Sequence, residues 1–98
     1  MKTNIGLRVS PRDTYSLVEF ELSGPISPDD LRGLEVPEVY ATKGVVISGR
    51  GPIWLHAYLA HIYHFTAFVA HYDPRLGGGV VVASHKPGVR EGDVIPLE

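Results

Sequence analysis

The run Gly44-Val45-Val46-Ile47-Ser48 constrains this chain more than any other segment. It is β-branched on both faces, as a strand covered on both sides should be. Gly49-Arg50-Gly51 then turns the chain, and Pro52 suits a first helical position because its φ is already fixed. The spacing predicts a helix over 52–64, with Ile53, Trp54, Ala57, Ala60, His61 and His64 near one stripe. A strand over 66–72 follows. Together these make a β-α-β unit whose strands run parallel, joined by a right-handed crossover.

Other elements arrange themselves around that unit. Residues 15–22 alternate as a half-buried strand, with 5–9 as a hairpin partner across a turn at Ser10-Pro11-Arg12-Asp13. Ser27, Pro28, Asp29 and Asp30 read as the start of a second helix, kept short by Gly33 and Pro37. Val36 to Tyr40 carry no pattern. Asp73-Pro74-Arg75-Leu76 and Gly77-Gly78-Gly79 are expected to form a mobile loop, followed by a strand at 80–84 and a short edge strand near 93–95. Strands of both senses with helices give an α+β or mixed α/β class. At 98 residues and 44% apolar, the chain holds one core, and 1–98 is expected to be a single domain.

Composition removes several functions. A net charge of −2, from 9 basic and 11 acidic residues, provides no global field to grip duplex DNA. A polyanion would need a local basic patch. With no cysteine, a disulfide scaffold, a thiolate zinc site and a cysteine nucleophile are excluded. No apolar run follows Lys2, and none approaches the roughly 18 residues of a membrane span. A soluble, cytoplasmic protein without a membrane partner is expected.

The β-α-β geometry sorts the reactive residues onto two edges. Ser48, Gly49 and Arg50 follow the first parallel strand, and Asp73 and Arg75 follow the second. Ligands favour that carboxyl edge in open sheets. A helix N-terminus, two glycines and two arginines there suit phosphate. An ordinary strand–helix turn with a solvated arginine accounts for the same residues, as does an Asp73-Pro74-Arg75 turn closed by its own ion pair. No P-loop spacing is present.

All five histidines fall between positions 56 and 85. The helix carries His64 to the opposite edge, and a strand antiparallel to 66–72 carries His85 there too. A histidine pair can exchange protons or bind metal. His56, His61 and His71 have plain readings as surface, core or interface residues. The two edges cannot meet within one subunit. Either one edge is idle, or two molecules stack edge to opposite edge around a shared ligand.

Residues 44–85 carry a family resemblance. The run from Gly44 to His56, then Leu59-Ala60-His61, Tyr63-His64, Phe68-Val69-Ala70, Tyr72-Asp73-Pro74-Arg75-Leu76-Gly77 and Ser84-His85 closely resembles the third class of CRISPR ring nucleases. The likeness continues weakly through Arg90-Glu91-Gly92-Asp93-Val94-Ile95, and the Gly77–Gly79 run is one residue longer than the family pattern. The resemblance implies a ferredoxin-like mixed sheet with two helices packed on it, in a homodimer. It implies binding and hydrolysis of cyclic tetra-adenylate, which switches off type III CRISPR ancillary effectors, with Mn2+ as the metal. Two dimers would stack around the ligand. Position by position, it implies catalytic roles for His64, Asp73 and Arg75, metal contacts at Asp73 and His85, and ligand contacts at Ser48, Gly49, Arg50 and Gly51. It implies the stand-alone form, without the kinase-like extension of some relatives. Two other activities compete: a manganese-dependent 3′-exoribonuclease acting on RNA 3′ ends, and a sensor or sponge that binds without turnover.

Overall fold

Six strands form one mixed sheet in chain order: β1 (Ile5–Pro11), β2 (Tyr15–Leu22), β3 (Gly44–Ser48), β4 (Phe68–Asp73), β5 (Gly78–Ser84) and β6 (Val94–Pro96). The computed structural model describes residues 3–97. β2, β3 and β4 run parallel, and the outer pairs β1–β2, β4–β5 and β5–β6 are antiparallel. This is the expected α+β architecture, with the β-α-β unit at its centre. Val45 pairs with Val69 and Ile47 with His71 across its two strands.

The β-branched residues of β3 fill both faces, as their pattern requires. Val45 and Ile47 join Val18, Phe20 and Val69 on the face covered by α1 (Ile53–Ile62). Val46 lies on the other face with Tyr15, Leu17, Phe68, Ala70 and Val81, packed by Val89, Ile95 and Leu97. Fully burying one such side chain stabilises the fold by about 1.5–3 kcal/mol.

Helix α1 is shorter than 52–64 and buries a different stripe. Pro52 is its N-cap and Tyr63 its C-cap. Leu55, Leu59 and Tyr63, each four residues on from the last, face the sheet and are buried. Ile53, Ala57, His61 and His64 are exposed. The leucines offer more apolar surface than the alanines, and an unpaired imidazole is costly to bury.

The second helix is a single 3₁₀ turn, Pro28–Leu31. Asp30 closes it by accepting from the Ser27 N–H at 2.8 Å. Gly33 takes a positive φ of 71° directly afterwards, so no α-helix develops. Among the described residues the sheet therefore carries one α-helix rather than two. The expected loop at Gly77–Gly79 is also corrected: Gly78 and Gly79 are buried residues of β5. A Cβ on Gly78 would stand 2.5 Å from the Ile95 carbonyl oxygen, and one on Gly79 would stand 2.9 Å from a Val46 methyl. Close packing of neighbouring strands, not mobility, accounts for these glycines. Likewise, β1 extends through Pro11, and the hairpin closes with the Arg12 N–H donating to the Tyr15 carbonyl at 2.8 Å.

Candidate functional site

β3 and β4 deliver Ser48, Gly49, Arg50, Asp73 and Arg75 to one edge of the sheet. Arg50 is exposed in the turn before α1. The space left by the absent side chains of Gly49 and Gly51 is taken by Phe20. Its ring would lie 2.6 Å from a Cβ on Gly49 and 2.9 Å from one on Gly51.

Asp73 and Arg75 form a closed turn at the end of β4. The Arg75 backbone N–H donates to Asp73 Oδ1 at 2.9 Å, and Arg75 Nη2 reaches Asp73 Oδ2 at 3.3 Å. These bonds hold the Asp73 carboxyl below the usual carboxylate range and raise the Arg75 guanidinium. The Asp73 carbonyl accepts from Leu76 and Gly77, and Gly77 turns the chain at φ 68°.

His64 and His85 meet at the opposite edge. Their rings stand edge to face with centroids 4.8 Å apart. His85 Nε2 lies 3.1 Å from the His64 carbonyl oxygen. A carbonyl only accepts, so Nε2 is the donor and the neutral His85 ring keeps its lone pair on Nδ1. That nitrogen is left for a proton or a metal. The His85 backbone N–H donates to the Ala67 carbonyl at 2.9 Å, which fixes the residue beside the start of β4.

The six residues of β4, at about 3.3 Å each, separate the two edges by roughly 17 Å. His64 and His85 are brought together, as are Asp73 and Arg75, but neither pair reaches the other within one chain. Among the described residues no three His, Asp or Glu side chains cluster to hold a metal ion. Asp73 and His85 of one chain do not fit a shared manganese.

A second imidazole pair eluded the sequence. His56 Nδ1 and His71 Nδ1 approach to 3.3 Å, and Phe20 packs on His56 with ring centroids 5.0 Å apart. Burial pushes His71 below the usual imidazole range, and His56 pushes it the same way. The available signal was positional: one residue lies in the first turn of the crossover helix, the other near the carboxyl end of the following strand. The exposed ring of Phe65, next to His64, was also passed over.

Residues 19–96 match the model of a family of CRISPR-associated proteins, Cas_csx3. The chain belongs to the Csx3 family. The match includes every candidate site residue from Ser48 to His85 and omits β1 and the beginning of β2. An uncharacterized protein of Aquifex aeolicus (strain VF5) is 47% identical over 90 residues, covering 88% of this chain and 81% of the relative. A CRISPR-related role follows from Csx3 membership. No helix among the described residues is long and apolar enough to cross a membrane.

Proposed function

We propose that this Csx3 protein is a ring nuclease that binds and cleaves cyclic tetra-adenylate, damping the type III CRISPR response. One observation carries the reading: the imidazole pair His64–His85 and the arginine-bearing edge lie at opposite ends of the same strands. Two molecules stacked edge to opposite edge would bring them onto one ligand. The exposed apolar residues Ile53, Val82 and Val94 offer surface that a second copy would cover within a dimer.

The chemistry needs no protein nucleophile. A ribose 2′-oxygen attacks the adjacent phosphorus, the P–O5′ bond breaks, and a 2′,3′-cyclic phosphate and a 5′-hydroxyl form. His64 takes the 2′ proton or returns one to the leaving oxygen, a role worth about 10²–10⁴ in rate. Arg50 and Arg75 hold phosphate oxygens and stabilise the charge that develops there. Ser48, Gly49 and Gly51 shape the turn that presents Arg50. Manganese would be held only where Asp73 of one chain meets His85 of another, and it would supply positive charge beside the phosphate.

The test is incubation with cyclic tetra-adenylate, with manganese or with chelator, and separation of the products. Ring opening supports the reading, and opening in chelator assigns the step to His64 and the 2′-hydroxyl. Tight binding without opening would make the protein a sponge. Shortening of linear oligoadenylate from its 3′ end, with the ring left intact, would make it an exoribonuclease.

A further inference from the structure

The turn from α1 to β4 is pinned at both ends. Tyr63 is buried, and its phenol donates to the Pro37 carbonyl at 2.8 Å. Burial pushes that phenol up to about 12, so it remains a donor at neutral pH. Thr66 is buried too, with its hydroxyl 2.8 Å from the Tyr63 carbonyl and 3.0 Å from the Phe68 carbonyl. Between these anchors the chain holds His64 and Phe65 outward, and Phe65 is 60% exposed. Leaving a phenyl ring in water costs about 25 cal/mol per Å² of apolar surface. A turn this firmly tied cannot relieve that cost by folding the ring inward.

The backbone segments that carry Lys43 and Lys86 run beside the Phe65 turn. The Ala67 N–H donates to the Lys43 carbonyl at 3.1 Å, and the His85 N–H donates to the Ala67 carbonyl at 2.9 Å. Three chain segments thus lie side by side just behind the ring, with Lys86 next in line. Lys43 Nζ donates to the Arg12 carbonyl at 2.7 Å, which extends the row to the β1–β2 turn. Arg12, Lys43 and Lys86 lie toward this edge with two acids, Asp13 and Glu38, the latter lining a hollow with Pro11, Ser16 and Tyr40. A second copy presenting the same edge would set like charges against each other, whereas an oligonucleotide brings phosphates.

The geometry points to Phe65 as a stacking platform for an unstacked adenine base, held beside His64 and His85. An exposed aromatic ring among cations is how single-stranded nucleic acid is commonly gripped, at about 1–3 kcal/mol per stacked base. This inference rests on the proposed ligand and adds the contact that holds its base, where Arg50 and Arg75 hold its phosphates. Stacking beside the histidine pair also fixes the ribose whose 2′-hydroxyl must meet His64.

The experiment is a gel shift with labelled cyclic tetra-adenylate on ice, before turnover, using the intact protein, Phe65→Ala and Phe65→Trp. Thermal melts confirm folding, and gel filtration without ligand reports the oligomer. Phe65→Ala is expected to weaken binding by about 5- to 150-fold, and Phe65→Trp to restore it. Three results overturn the platform: undiminished binding by Phe65→Ala, a loss that tryptophan does not restore, or a change of oligomer that explains the loss. If the intact protein itself binds no ring, the proposed function falls and the platform falls with it. If the intact protein and Phe65→Ala bind alike, only the platform falls.

Discussion

His85 donates through Nε2 to the carbonyl oxygen of His64, and the two imidazoles stand edge to face with centroids 4.8 Å apart. The contact ties the orientation of one ring to the backbone of the other. His64→Ala is therefore expected to lower ring cleavage by about 10²–10⁴ while leaving affinity within a few-fold. Equal loss of both in single-turnover and binding assays would remove His64 from the chemistry.

The separation of the two edges makes a sharper prediction. His64→Ala keeps an intact arginine edge, and Arg75→Ala keeps an intact histidine edge. Each variant alone is expected to be inactive, and a mixture should recover cleavage, because a stack of unlike molecules assembles one complete site. No recovery over a range of mixing ratios would overturn the shared site and leave one of the two edges idle.

Arg50 is exposed in its turn and free to follow a phosphate. Arg50→Ala should weaken binding of cyclic tetra-adenylate and flatten the dependence of log affinity on log salt by about one unit or less. An unchanged slope would return Arg50 to the role of a solvated turn residue.

The β-α-β unit was legible because each of its parts has a local cause. Val45, Val46 and Ile47 are β-branched on both faces, and Pro52 marks where the helix begins. From that unit the two edges followed, and the antiparallel strand expected at 80–84 carried His85 to the same edge as His64. What was not legible depends on tertiary placement. The approach of His56 to His71 depends on where α1 crosses the sheet, which no periodicity reports. Gly78 and Gly79 looked like loop residues because their reason for being glycine is the neighbouring strands: Ile95 on β6, and Val46 and Ala70 across the sheet. The second helix failed at Gly33, whose positive φ ended it after one turn.

The buried stripe of α1 can be tested by contrast. Leu59 is buried at 0% exposure, whereas Ile53, also on α1, is 87% exposed. Leu59→Ala is expected to cost about 2–5 kcal/mol in denaturant unfolding. Ile53→Ala should fall within about 0.5 kcal/mol in the isolated protomer. A larger loss for Ile53→Ala at high protein concentration, vanishing on dilution, is expected if a second copy covers that residue.

The His56–His71 pair makes stability fall as the solution is acidified. The two Nδ1 atoms lie 3.3 Å apart, and burial together with His56 disfavours a charge on His71. Above the ordinary imidazole value of about 6.5, His71 is neutral folded or unfolded and costs nothing. Below it, the unfolded chain takes up a proton that the folded chain refuses, so stability falls until the lowered folded value is passed. Asp73, also depressed, loses its stabilising effect with acid as well, but only below the usual carboxylate range near 4. The two effects therefore occupy separate windows. Thermal melts between about pH 7.5 and 5 should show a falling midpoint for the intact protein and a flatter line for His71→Leu. Parallel lines would mean that the pair carries no proton linkage in the folded state.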